Sequence, residues 1–146
     1  MSEIGFYHLT RSTLSQALPR LLVRTLAAGQ RALVLGNTAE GLDAISTALW
    51  AQPDWLPHGS AADGDADLQP IWLSLEPDAA NGARYLFIVE QAEAGPLDRF
   101  DRVFALFDGN DPAGVEAARA RWRTAKAAGH TLAYWQQTEK GWQKKA

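Results

Sequence analysis

The chain contains no cysteine among its 146 residues. It can therefore form neither disulfides nor thiolate metal sites, and this composition fits a reducing compartment such as the cytoplasm. No apolar run approaches the ~20 residues that a membrane-spanning helix requires. The N-terminal segment also lacks the charged-then-apolar pattern of a signal peptide. We therefore expect a cytoplasmic protein without a membrane anchor.

The residues of a nucleotide-binding loop are also missing. Residues 36–41, Gly-Asn-Thr-Ala-Glu-Gly, have the glycine spacing of a phosphate loop and lie between a predicted strand and a predicted helix. Such a loop continues with lysine and serine or threonine, which contact the phosphates and a magnesium ion. Here Leu42 and Asp43 follow instead, and Glu40 and Asp43 would repel phosphate. Because there is no Gly-x-Gly-x-x-Gly motif either, we expect no nucleotide-binding loop.

No catalytic or metal-binding motif can be recognised. The three histidines, His8, His58 and His130, are isolated, and none has a second ligand at helical i, i+4 spacing. The segment 63–67 has alternating aspartates but lacks the glycine and distal glutamate of a calcium loop. There is no Gly-x-Ser-x-Gly nucleophile motif. We therefore expect no catalytic residue, no metal and no cofactor.

The charge is distributed unevenly along the chain. The net charge of −3 argues against a general DNA-coating protein, whose affinity depends on neutralising phosphates. Residues 119–146, however, hold seven positive charges against one negative, so they carry +6 and the first 118 residues carry −9. Three of the six tryptophans also lie in this basic end. It is either an interaction surface for an anionic partner or a solvated helix face followed by a frayed tail.

Apolar patterning predicts alternating strands and helices in a single domain spanning residues 1–146. Continuous apolar runs indicate buried parallel strands, and apolar residues at helical spacing indicate helices. This alternation predicts a three-layer, Rossmann-like α/β fold with a mainly parallel, twisted sheet. We expect the loop 59–69 and the tail 138–146 to be mobile. The predicted strands are 5–9, 31–35, 71–75, 85–89, 102–107 and 131–136, and the predicted helices are 14–27, 39–50 and 113–128.

The third predicted helix carries a basic ridge beside a tryptophan. At 100° per residue, Arg119, Arg123 and Lys126 fall within roughly a 60° sector, and Trp122 adjoins it at the edge of the apolar stripe. An aromatic wall beside several cations suits an acidic peptide that ends in an apolar residue. The alternative is a core tryptophan flanked by surface arginines.

A second aromatic cluster lies at the end of the second predicted helix. Residues 49–58, Leu-Trp-Ala-Gln-Pro-Asp-Trp-Leu-Pro-His, place Trp50 and Trp55 between prolines and a polar loop. The two rings either fold back onto the domain or form an exposed aromatic patch for a protein partner. Because tryptophan is enriched among interface anchors, the patch is favoured.

Several stretches of the chain match one known family in residue type and spacing. Together with the length and the order of elements, they resemble the chi subunit of bacterial DNA polymerase III over nearly the whole chain. The stretches are Phe6-Tyr7, Leu49-Trp50-Ala51-x-Pro53 to Pro57-His58, Pro70-Ile71, Arg84-Tyr85-Leu86-Phe87-Ile88 and Arg119-x-x-Trp122-Arg123-x-x-Lys126-x-x-Gly129.

The resemblance implies a Rossmann-like fold without nucleotide chemistry and two protein partners. One is the psi subunit, which ties chi to the clamp loader. The other is the acidic C-terminal tail of single-stranded DNA-binding protein, which ends in Pro-Phe. Through that protein the association with DNA would be indirect.

The family's functional positions can be carried over residue by residue. Its tail-binding residues fall on Arg119, Trp122, Arg123 and Lys126; the family has tyrosine where this chain has Trp122 and lysine where it has Arg123. Its aromatic patch, which we assign to psi, falls on Trp50 and on Trp55, where the family has phenylalanine. Ring and charge are retained at each exchange.

Two other functions remain open at this stage. One is a small-molecule or nucleotide-dependent enzyme on a doubly wound fold, with its site beyond the carboxyl ends of the strands. The absence of a phosphate loop and of an acid–base set disfavours it. The other is direct DNA binding through the lysine-rich end of the chain.

Overall fold

The computed structural model describes residues 2–53, 56–60 and 63–146 and contains, within them, one eight-stranded sheet. Its helices, a 3₁₀ turn at Ala66–Leu68 aside, are α1 (Leu14–Ala27), α2 (Ala39–Trp50) and α3 (Pro112–Ala127). Its strands are β1 (Glu3–Leu9), β2 (Ala32–Leu35), β3 (His58–Ser60), β4 (Ile71–Ser74), β5 (Tyr85–Ile88), β6 (Arg102–Asp108), β7 (Thr131–Thr138) and β8 (Gly141–Lys144).

The strand order is β3-β4-β2-β5-β6-β1-β7-β8, and neighbouring strands are parallel except for the antiparallel pair β7–β8. The central strands are buried on both faces, which is why β2 has the continuous apolar sequence Ala-Leu-Val-Leu. The predicted α/β fold with a mainly parallel sheet is confirmed.

Successive side chains along the strands point to opposite faces of the sheet and contribute to two separate hydrophobic cores. On one face, Tyr7 and Val34 pack with residues of α1 and α2. On the other face, Phe6 and Leu33 pack with α3 and with the segment 92–100. The domain therefore has three layers, with α1 and α2 on one side of the sheet and α3 on the other.

Short-range sequence signals set the ends of the helices. The Thr38 hydroxyl accepts a hydrogen bond from the Gly41 amide at 3.0 Å and caps α2. Asp111 caps α3 by accepting from the Ala113 amide at 3.1 Å. Gly29 follows α1 with φ +76°, a left-handed conformation that glycine adopts without strain.

The sequence pattern predicts neither β3 nor β8. Both are short, and β8 is polar apart from Trp142, so neither has a recognisable strand signal of its own. β8 forms because it pairs with β7, where Gln137 lies opposite Trp142, and because the Trp142 ring makes an edge contact with Tyr7 at 5.1 Å. The mobility of the segments 59–69 and 138–146 stays a prediction.

Candidate functional site

Glu90 lies at the carboxyl ends of the neighbouring strands β2 and β5. Doubly wound folds bind their ligands at this end of the sheet. Its carboxylate accepts from the amides of Asn37 and Thr38 at 3.1 and 3.3 Å and from the Thr38 hydroxyl at 2.9 Å. A Cβ atom on Gly41 would collide with this carboxylate. The glycine spacing of residues 36–41 thus accommodates a glutamate at the N-terminus of α2, where other folds bind phosphate.

The cavity beside Glu90 is acidic. It has a volume of about 440 Å³ and is lined by Glu90, Asp108 and Asp111 as well as by the β1–α1 loop. Glu90 has φ +55°, a conformation that is costly for a non-glycine residue, and its contacts with the start of α2 hold it there. Three carboxylates outweigh Arg11, the one cation in the lining of this cavity, so the geometry disfavours phosphate binding and with it the nucleotide-dependent enzyme.

Neither a cluster of metal-binding side chains nor a membrane-spanning helix is found among the described residues. No three side chains of histidine, aspartate or glutamate converge on one point in the described part of the chain. Of the helices in residues 2–53, 56–60 and 63–146, none is long and apolar enough to cross a bilayer.

Arg119 and Arg123, two of the three residues of the basic ridge, meet Trp122 at a pocket on the α3 face of the sheet, which we call the α3 pocket. It has a volume of about 430 Å³, and Arg119, Trp122 and Arg123 form its helical wall. Both arginine side chains are more than two-thirds exposed, whereas Trp122 is half-buried. Trp122 therefore lies at the boundary of core and surface, as its position at the edge of the apolar stripe predicts.

Aromatic rings form most of the remaining lining, which Val115, Ala118 and Ala146 complete. Trp122 makes an edge contact with Phe6 at 5.2 Å and with Tyr134 at 6.2 Å between ring centroids. His8 stacks on Phe107 at 4.9 Å. Its Nδ1 atom is hydrogen-bonded to the Tyr134 hydroxyl at 2.6 Å. These rings come from β1, β6 and β7, which the parallel register places side by side under α3.

The floor of the α3 pocket is neutral, while its rim is positive. Burial lowers the pKa of His8, which the nearby Asp108 partly offsets, so the imidazole is uncharged at neutral pH. Burial also raises the pKa of the Tyr134 hydroxyl, against the opposing effect of Arg119. A ligand that combines an apolar end with several carboxylates matches this arrangement, because the end can enter the pocket while the carboxylates meet the arginines.

Glu116 is a residue of this site that the sequence analysis did not identify. Its two carboxylate oxygens lie 4.0 Å from Arg119 Nη1 and 4.0 Å from Arg123 Nη2. The three residues follow i, i+3, i+7 spacing, which places them along one side of α3. Glu116 therefore competes with any acidic ligand for both arginines, and its helical spacing could have revealed it.

The remaining cations of α3 differ in their surroundings. Lys126 is exposed, but it is not part of the pocket lining, so the structure does not bring it together with Trp122. Arg121 points the other way, donating from Nη2 to the Ala92 carbonyl at 2.7 Å. Burial lowers the pKa of this guanidinium. Arg121 thus fastens α3 to the loop after β5 and takes no part in the α3 pocket.

Trp50 is exposed at the end of α2. Although tryptophan is large and mostly apolar, 59% of the surface of Trp50 is accessible to solvent. The ring lies against His58 at 4.2 Å between centroids. His58 is itself held by Ser46 Oγ and the Leu56 carbonyl, both at 2.8 Å. The indole is therefore presented outward on a rigid support, which favours the exposed patch over a ring folded into the core.

Trp55, the second member of the predicted aromatic patch, lies outside the described residues. The position of Trp50 nevertheless separates the two candidate surfaces. α2 packs on β4 near one edge of the sheet, and α3 packs on β6 and β7 toward the other edge and on the opposite face. A partner at Trp50 and a partner in the α3 pocket would approach from different sides.

Comparison with known proteins assigns a family. The family model described as DNA polymerase III chi subunit, HolC, matches residues 1–133. A curated protein of Rickettsia prowazekii (strain Madrid E), named probable DNA polymerase III subunit chi, is 23% identical over 99 residues. The aligned part covers 66% of this chain and 60% of the relative.

Proposed function

This chain belongs to the DNA polymerase III chi subunit family, and we propose that it is a non-catalytic accessory subunit that links two proteins at the replication fork. One is the psi subunit of the clamp loader. The other is the acidic C-terminal tail of single-stranded DNA-binding protein, through which its association with DNA is indirect. A role at the chromosome of a bacterium would place it in the cytoplasm.

The α3 pocket is the site proposed for the acidic tail, and it is the observation that carries the proposal. An apolar, aromatic cavity beside two exposed arginines is complementary to a peptide that ends in Pro-Phe and is acidic upstream. The terminal phenylalanine would enter between Trp122 and Tyr134, and the carboxylates would contact Arg119 and Arg123. Lys126, outside the pocket, would contribute only to long-range attraction.

The aromatic patch at the end of α2 is the site proposed for psi. Trp50 is exposed and rigidly supported, which are the properties of an interface anchor. Trp55 joins this site only by its resemblance to the family. Because α2 and α3 lie on opposite faces of the sheet, one chain could hold both partners at once.

Binding measurements on single variants test this two-site arrangement. We expect Arg119→Glu to lose the acidic peptide but to retain psi, and Trp55→Ala or Trp50→Ala to lose psi but to retain the peptide. An interface tryptophan should contribute about 2 kcal/mol or more. A thermal melt must accompany each variant, because an unfolded domain would also lose both partners. A folded variant that loses both partners would show that the sites overlap.

Nucleotide turnover tests the non-catalytic part of the proposal. We expect none, because Glu90 occupies the N-terminus of α2 and the adjoining cavity is acidic. Hydrolysis of a nucleoside triphosphate well above the buffer rate by the purified chain would make the accessory role incomplete.

A further inference from the structure

A second basic groove lies on the face of the sheet opposite to the α3 pocket, between α1 and the β7–β8 hairpin. We call it the α1–hairpin groove and define it by Arg11, Arg20, Arg24, Gln137 and Trp142. Its volume is about 420 Å³. Neither the family resemblance nor the proposed function assigns a role to it.

Gln137 fixes the shape of the groove. Its Oε1 atom accepts from the amides of Thr10, Arg11 and Ser12 at 3.0 to 3.1 Å, and its Nε2 atom donates to the Ser12 hydroxyl. Gln137 thus connects the end of β7 to residues 10–12, which precede α1. The two walls of the groove, α1 and the β7–β8 hairpin, are therefore held in place before any ligand binds, which reduces the entropic cost of binding.

The groove is positively charged and has an aromatic wall. Arg20 and Arg24 lie one turn apart on α1 and are exposed, and Arg11 lies at the end of the groove. The single carboxylate in the lining is Glu139, which is 3.9 Å from Arg11 and is 82% exposed. Lys144 follows Trp142 by two residues and so lies on the same side of β8, but it does not line the groove.

We propose that the α1–hairpin groove binds a single strand of nucleic acid, with the arginines on its phosphates and the Trp142 ring against a base. Arginines that follow a groove beside an aromatic ring are the combination that single-strand-binding surfaces use. An acidic peptide with an apolar anchor fits less well, because the lining is mostly polar and offers no apolar cavity like the α3 pocket. A duplex would hide the base faces that Trp142 could stack against.

The chemistry predicts weak, salt-sensitive binding. Few phosphates are neutralised, and the chain carries a net charge of −3, so naked single strands should bind at low salt and be released near physiological salt. Weak contacts are sufficient if the chain is already held next to the strand by a protein partner, since tethering raises the effective concentration. The groove does not depend on such a partner, so it can be tested alone.

The test is fluorescence anisotropy of the full chain with a labelled 15-nucleotide oligothymidylate at about 20 to 150 mM salt. The double variant Arg20→Glu, Arg24→Glu should lose at least tenfold in affinity at low salt. Its salt dependence should also be shallower by about 1.4 logarithmic units per decade, since each single-strand phosphate contact contributes about 0.7. Trp142→Leu, which keeps an apolar contact with Tyr7, should lose fivefold or more.

Arg99→Glu is the control for a charge reversal elsewhere on the surface, with half the charge change of the double variant, because Arg99 lies over the Phe100 ring and does not line the groove. It should change the affinity less than threefold. Thermal melts establish that each variant is folded. Failure of the wild-type chain to bind the oligonucleotide at low salt would overturn the proposal, as would equal losses in the double variant and in Arg99→Glu. Loss of an acidic peptide rather than the oligonucleotide in the double variant would also overturn it and assign the groove to a peptide. The oligonucleotide measurements leave peptide binding in the α3 pocket untested; only the loss of an acidic peptide in the double variant would also count against that pocket as the peptide site.

Discussion

Reversing the charge of Arg123 should weaken binding of an acidic peptide that ends in Pro-Phe by at least about 1.4 kcal/mol, which is tenfold in affinity. Arg123 is exposed at the rim of the α3 pocket, so a carboxylate about 4 Å away gains about 1 kcal/mol in water. Glutamate replaces this attraction with a repulsion of similar size, which gives about 2 kcal/mol before screening. Salt at 0.15 M, with a Debye length of about 8 Å, reduces this only in part.

Titration calorimetry at two salt concentrations measures this effect. Arg123→Lys is the matched control and should bind within about threefold of wild type, since it keeps the charge. The difference between Arg123→Glu and wild type should shrink as salt rises. If Arg123→Glu binds the peptide as tightly as wild type at low salt while remaining folded, the basic rim does not contribute and the assignment of the α3 pocket is wrong.

Three further predictions follow from individual contacts. Glu116→Gln should raise the peptide affinity about two- to threefold in calorimetry, because Arg119 and Arg123 lose an internal competitor; unchanged affinity would contradict this competition. Glu90→Ala should destabilise the domain by about 1 kcal/mol and lower the melting temperature by about 2 to 4 °C, through lost charge-assisted bonds to α2. The lowered pKa of His8 means that the unfolded chain binds its proton more readily, so stability should be lost as pH falls below about 6.5. A histidine NMR titration that places the His8 pKa at or above 6.5 would refute this.

Most of the fold could be predicted from the sequence, because its signals are local. The apolar run of β2 and the helical periodicity of α1 and α2 gave bounds close to those of the structure. β8 was missed because Trp142 becomes a strand residue only by packing on Tyr7, more than 130 residues earlier in the chain. Pairing of this kind depends on contacts between residues far apart in the chain, and a short stretch of sequence does not reveal such contacts.

The candidate site was predictable in part for the same reason. Helical spacing alone brought Arg119, Trp122 and Arg123 together. The aromatic floor beneath them could not be predicted, because Phe6 and Tyr134 become neighbours only through the parallel register of β1 and β7. Glu90 was also missed, since nothing in its local sequence indicates that its carboxylate reaches the start of α2.

An NMR titration of the isotope-labelled chain with an acidic peptide that ends in Pro-Phe shows where on the domain such a peptide binds. Binding in the α3 pocket predicts that the largest shifts fall on the Trp122 indole, on the amides near Arg119 and Arg123 and on Tyr134, while the Trp50 indole is unaffected. Saturable shifts that are confined to the Trp50 or Trp142 indoles, or no shifts at low salt, would contradict it.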